Sequence, residues 1–384
     1  MAHHALLVQI TLFVLLLFSD LSLGSSLQNG DRFIEAVYSF GDSIADTGNL
    51  LVEGVSGGPL AAISSLPYGM TFPGKSTGRC SDGLLMIDFI AKRLRLPSPS
   101  PYLKNGSDFT HGVNFAVAGA TALEKSLLVE NGIIAALPAT SSSLDIQLDW
   151  FKHHIRSICS NDRKACLKKR LGKSLFLVGE IGGNDYNYVF LTGKSIKEVE
   201  TYIPSVVDKI INVAKELINA GALYMIVPGN FPVGCAPSYL TAFQTSNVSD
   251  YDNQHCIKDL NMFAIHHNKY LQQQLHKLRK KHPMVTIMYA DYYNVITYLL
   301  NRPHYYGLDE QTLLKTCCGG GGKYNFDIIG FCGSPEATVC ANPDRYLNWD
   351  GVHLTQKGYQ LMTNLLTTGG FTYPNNELWK KWIS

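Results

Sequence analysis

Four short apolar runs punctuate the chain: "AVYSF" (36–40), "SLFLVGEI" (174–181), "LYMIVPG" (223–229) and "VTIMYAD" (285–291). Each is continuous rather than alternating, the pattern of a strand buried on both faces in a parallel sheet. Between them the apolar residues recur at helical spacing. In 198–221, Val199, Ile203, Val206, Ile210, Ala214, Leu217 and Ile218 mark one face, and Gly221 ends the run, which predicts one helix. In 260–283, Leu260, Phe263, Ala264, Leu271, Leu275 and Leu278 do the same before Pro283, and 83–97 predicts a shorter helix stopped by Pro97. Alternation of strands and helices predicts an α/β fold, a single three-layer αβα domain built on one parallel sheet. Gly- and Ser-rich stretches at 54–58 and 319–322 read as loops inside that domain, and no internal repeat is visible.

The first residues follow a different pattern. An apolar run at 5–18 and the small residues "SLG" at 22–24 predict a signal peptide cleaved after Gly24, although "MAHH" before it lacks Lys or Arg. The fold is then expected in 25–384. No later segment offers the roughly 18 uninterrupted apolar residues of a membrane span, so no stable membrane insertion is expected.

Composition narrows the function classes. A hydrophobic content of 46% supports a sizeable core and excludes a disordered chain. The net charge of +2 and the short basic runs at 168–170 and 279–281 give no basis for a nucleic-acid partner. Nine cysteines behind a leader predict disulfides, with Cys159 and Cys166 close in sequence and Cys317, Cys318, Cys332 and Cys340 clustered late. Zinc is the rival reading, but no C-x-x-C pair or His partner has the usual spacing, so no metal site is expected. The odd count leaves a free thiol or an intermolecular bond. The sequons at Asn105 and Asn247 are compatible with glycosylation on a secretory route.

Reactive groups in such sheets gather beyond the carboxyl ends of the strands. The first run leads into "GDSIADTGN" (41–49), where Ser43 is either a helix cap or a nucleophile. Acyl transfer requires a hydroxyl, an imidazole to take its proton and a carboxylate to orient the imidazole. His353 and Asp350, three residues apart in "WDGVHL", supply the last two. An oxyanion hole would need donors, which Asn184 in "GGND", Gly119 in "NFAVAGATAL" and the Ser43 N–H offer. Each piece alone is common, and their joint presence in this order is what points to chemistry.

These segments resemble the conserved blocks of the SGNH, or GDSL, hydrolase family in its plant secreted branch. "FGDSIADTGN" resembles the nucleophile block, "GVNFAVAGATAL" the glycine block, "GEIGGNDYN" the asparagine block and "WDGVHLTQKGY" the Asp/His block. The similarity extends to 67–91, 226–235 and 289–294, with Ile44 in place of the leucine of the family name. The resemblance implies a flavodoxin-like sheet of about five parallel strands, the fifth expected in 109–117. It further implies a serine esterase with Ser43 as nucleophile, His353 as base, Asp350 as its orienter, and Ser43, Gly119 and Asn184 as oxyanion donors. No cofactor is implied. The partner is then a small-molecule ester, and the compartment is extracellular, apoplastic or vacuolar. Within the branch the chain most resembles esterases of the acetyl-alkaloid and sinapoyl-choline types, which favours a short acyl ester of a small specialised metabolite. A lipase on longer acyl chains and an acyltransferase are the alternatives, and a non-catalytic binding protein would be expected to lack some of these residues. The 51–69 segment reads equally as a pocket wall, an acyl groove or a plain surface loop.

Overall fold

A computed structural model of the chain describes residues 33–55, 59–133, 139–159, 163–374 and 377–383. The expected leader (1–24) and the start of the domain at 25 lie outside the described residues, as do 56–58 of the expected 54–58 loop. The four apolar runs are strands: β1 Ala36–Phe40, β3 Ser174–Val178, β4 Tyr224–Pro228 and β5 Thr286–Ala290. The fifth parallel strand, β2 Gly112–Asn114, falls where it was expected. The sheet order is β2-β1-β3-β4-β5-β8, where β8 (Thr372–Tyr373) is a short antiparallel edge strand. A separate two-stranded ribbon, β6 (Cys318–Gly319) with β7 (Thr338–Val339), carries part of the Gly-rich 319–322 stretch.

Every residue of β1 and β3 is buried, as continuous apolar strands covered on both faces must be. One helix group consists of α2 (Leu144–Ile158), α4 (Ile203–Ala220) and α5 (Lys258–Lys281). A second consists of α1 (Met86–Arg93), α6 (Tyr292–Leu300) and α7 (Gln356–Thr368). Phe151 of α2 packs edge-on against Tyr38, Phe40 and Phe176 of the central strands. Burial of an aromatic side chain of this kind contributes roughly 1.5–3 kcal/mol. The helix expected across 198–221 is two: Ile196–Glu200, then α4. Pro204 is the cause, because proline has no N–H to bond the preceding turn and is tolerated only at the start of a new helix. Gly221 ends α4 in the left-handed conformation, φ 119°.

All nine cysteines are described. They form the disulfides Cys159–Cys166, Cys235–Cys256, Cys317–Cys340 and Cys318–Cys332, and leave Cys80 as a buried free thiol. Among the described residues no group of three or more His, Cys, Asp or Glu could hold a metal ion, and no helix is long and apolar enough to cross a membrane. The residues from Ile34 onward form one compact unit. Strand order reverses direction at β1, whose neighbours are β2 and β3, and this switch point opens the crevice at the strands' carboxyl ends.

Candidate active site

The turn after β1 is organised by a buried carboxylate. Asp46 accepts from the backbone N–H groups of Gly48 (2.7 Å), Asn49 (2.6 Å), Leu50 (3.0 Å) and Ala118 (2.8 Å). One side chain thus ties the turn carrying Ser43 to the segment carrying Gly119, and burial pushes its pKa up to about 6. Asn49 and Asn114 reinforce the tie: Asn49 Nδ2 donates to the Asn114 and Ala116 carbonyls, and Asn114 Nδ2 to the Ala45 carbonyl. The next helical turn begins at Asn49 behind Gly48, without a side-chain cap. Ser43 is therefore not a cap.

The Ser43 hydroxyl instead donates to His353 Nε2 at 2.7 Å, across 310 positions of sequence. His353 Nδ1 lies 2.7 Å from Asp350 Oδ2 and 2.9 Å from Oδ1. An ionised carboxylate can only accept, so the imidazole proton sits on Nδ1 and the Nε2 lone pair faces Ser43. Asp350 also accepts from the backbone N–H of His353 (2.9 Å) and from the Tyr68 hydroxyl (2.7 Å). Burial alone would pull His353 down, but the adjacent Asp350 carboxylate, and after it the Cys80 side chain on the ring, outweigh it and hold the imidazolium well above the ordinary histidine value. Burial would raise Asp350 in turn, yet the imidazolium and these donors keep it low. Cys80 is buried beside this pair, and burial holds its thiol up.

Asn184 sits in the first turn of α3 (Gly183–Leu191), which begins beyond the left-handed Gly182 after β3. Its Nδ2 donates to the Ala120 carbonyl at 3.0 Å and to Asp42 Oδ2 at 3.2 Å. The neighbouring Asp185 accepts from Ala122 N (2.7 Å) and Leu123 N (2.9 Å), so this helix start is fastened to the Gly119 segment. Gly119 adopts φ 80°, and a Cβ there would lie 2.8 Å from Ala139 Cβ, 3.1 Å from Leu60 Cδ1 and 3.2 Å from Tyr188 Oη. Only glycine fits, on both counts. Among the described residues neither the Ser43 nor the Gly119 N–H has an acceptor. Beneath them Asp42 is pushed up to about 6 by burial, and Glu180, buried and repelled by the Asp42 carboxylate, is pushed well up. The two buried carboxylates repel one another, which favours a proton on the pair over two negative charges beneath these donors.

The structure therefore brings all five residues singled out from the sequence to one crevice. Asn105 and Asn247 lie elsewhere, both exposed. His267, by contrast, belongs to the packing: it is buried, its Nδ1 2.7 Å from the Tyr186 hydroxyl. Three residues at the site were not legible beforehand: Asp46, Asp185 and Tyr68. An acidic residue in a "DTGN" turn could have suggested a cradle of N–H groups. Nothing local marks Tyr68, whose partner lies 282 positions away. The 51–69 segment, left open by the sequence, forms a wall here through Leu60 in the helical turn Pro59–Ser64.

Comparison with known proteins bears on this arrangement. Residues 37–366 match the GDSL-like lipase/acylhydrolase family. The chain is 44% identical over 368 residues to sinapine esterase of Brassica napus, covering 95% of this chain and 93% of that one. It is 43% identical over 336 residues to acetylajmalan esterase 2 of Rauvolfia serpentina, covering 86% of this chain and 89% of the relative. With a hydroxyl, an imidazole and a carboxylate in line at the crevice, the chain belongs to the GDSL-like lipase/acylhydrolase family and is a carboxylic ester hydrolase.

Proposed function

We propose that the protein hydrolyses a short acyl ester of a small specialised metabolite through a Ser43–His353–Asp350 triad. The observation that carries this is the unbroken hydrogen-bonded line from Ser43 Oγ through His353 to Asp350. As Oγ attacks the ester carbonyl carbon, its proton passes to His353 Nε2 and the carbonyl π electrons move onto oxygen. The tetrahedral oxyanion is met by the N–H groups of Ser43 and Gly119. Asn184 joins them by exchanging its longer bond, that to Asp42, for the new charge. Collapse breaks the bond to the alcohol oxygen, which takes the proton from His353. Water then repeats the cycle on the acyl-enzyme.

Leu60 and Ala139, close against Gly119, narrow the space beside the oxyanion position and support a small acyl group. The two relatives named for sinapine and acetylajmalan support a small-molecule alcohol. The test is a panel of acetyl, butyryl and palmitoyl esters with and without an acceptor alcohol. Fastest release from the short esters, with free acid as product, is the expected result. Preference for palmitoyl would make the protein a lipase, and acyl-alcohol product a transferase. The four disulfides support passage through an oxidising secretory compartment, and the exposed Asn105 and Asn247 are the expected glycan sites.

Two further outcomes follow. Asn184→Ala should cost about 10²–10³ in kcat with little change in KM, since its bond to the oxyanion matures only in the transition state. Unchanged kcat would remove it from the oxyanion site. His353 must be neutral to act as base, and its imidazolium is stabilised. The alkaline-going limb of kcat/KM should therefore rise through a pH above the ordinary histidine value of about 6.5. A profile already flat from pH 5 to 8 would contradict that base.

A further inference from the structure

Most of the donors on Asp350 come from its own turn: Val352 N at 3.2 Å, His353 N at 2.9 Å and His353 Nδ1. They move with the carboxylate and cannot hold it relative to the rest of the fold. The Tyr68 hydroxyl, 2.7 Å from Oδ2, is the one donor among the described residues that comes from elsewhere. Tyr68 is only 4% exposed and its ring stands edge-on to Trp349, centroids 5.9 Å apart. Its loop is itself anchored around the Asp/His segment. Gly69 N donates to Ser81 O, Ser81 Oγ donates to Leu354 O at 3.0 Å, and Gln356 N donates to Asp82 Oδ1 at 2.7 Å. The 68–82 loop thus grips the chain before and after His353.

We infer that Tyr68 is a positioning residue of the hydrolase, fixing the Asp350 carboxylate for His353 and drawing off part of its charge. The inference rests on the triad reading above. A carboxylate divides its charge among its donors, so losing the phenol leaves more of it to the imidazolium and makes His353 more basic. It also frees the carboxylate to turn, and misaligns Nδ1–H.

Tyr68→Phe tests this, because it keeps the ring on Trp349 and removes only the O–H. At pH 7 kcat should fall about 10–10²-fold with KM within about twofold. The rising limb of kcat/KM, and the pH at which the low-field Nδ1–H proton resonance of His353 titrates, should both move upward from wild type. In an Asp350→Asn background the same exchange should lower the rate of Ser43 labelling by a fluorophosphonate no further. Wild-type kcat and titration in Tyr68→Phe, or an undiminished loss in the Asp350→Asn background, would overturn the inference. A wild-type protein that hydrolyses no ester would overturn the triad reading instead. The resonance needs no substrate, so it would still decide whether Tyr68 governs the titration of His353.

Discussion

Ser43→Ala is expected to lower kcat by about 10⁴–10⁶ and to abolish labelling by a fluorophosphonate, with KM little changed. The Ser43 hydroxyl stands 2.7 Å from His353 Nε2, placed to form a bond to the acyl carbon as that nitrogen removes its proton. Without it the remaining donors still favour a tetrahedral species, so a residual rate over water, of order 10³–10⁴, should persist. Oγ bonds to the substrate only in the chemical step, which is why the loss belongs in kcat. Labelling retained at the wild-type rate in Ser43→Ala would place the nucleophile on another residue.

Asp350→Asn should cost about 10⁴ in kcat although the side chain keeps its shape. A carboxylate accepts only, and so keeps the imidazole proton on Nδ1. An amide turned to present its NH₂ to Nδ1 reverses the tautomer, and Nε2 then carries a proton where it must take one. The same exchange removes the charge that raises His353, so the limb of kcat/KM should move to lower pH. That is opposite to the shift expected for Tyr68→Phe, and the two profiles measured side by side separate alignment from charge. A kcat within about tenfold of wild type would show that the tautomer is set by another group.

The central strands could be read before any coordinates because they are buried on both faces, which leaves no polar alternation to blur the pattern. α5 was legible for the complementary reason, since one apolar face repeats along 24 residues from Lys258 to Lys281. The break before α4 was harder. Val199 and Ile203 continue the apolar stripe across it, so periodicity alone gives no warning, and the signal is Pro204, the second residue of α4. The ribbon of β6 and β7 and the edge strand β8 are two residues each, too short to carry any period. The pairing of Cys235 with Cys256 had no local cue either, since 21 positions separate them.

At the site the division follows the range of the forces. Ser43, Asp350 and His353 could be nominated from residue type, their joint presence in order and the family resemblance, since hydroxyl, carboxylate and imidazole carry their chemistry wherever they stand. Asp46 and Tyr68 could not, because an aspartate or a tyrosine becomes a cradle or a tether only when the fold brings partners to it. Four N–H groups converge on Asp46, one of them from Ala118, 72 positions away. By itself, then, the sequence determined the mostly parallel α/β architecture and nominated the candidate reacting groups, through patterns of burial and through intrinsic side-chain chemistry. Only the tertiary structure decided which nitrogen of His353 faces Ser43, what holds Asp350 still and how basic the imidazole becomes. Those depend on distances of about 3 Å between segments remote in sequence, over which hydrogen bonding is decisive and local composition is silent.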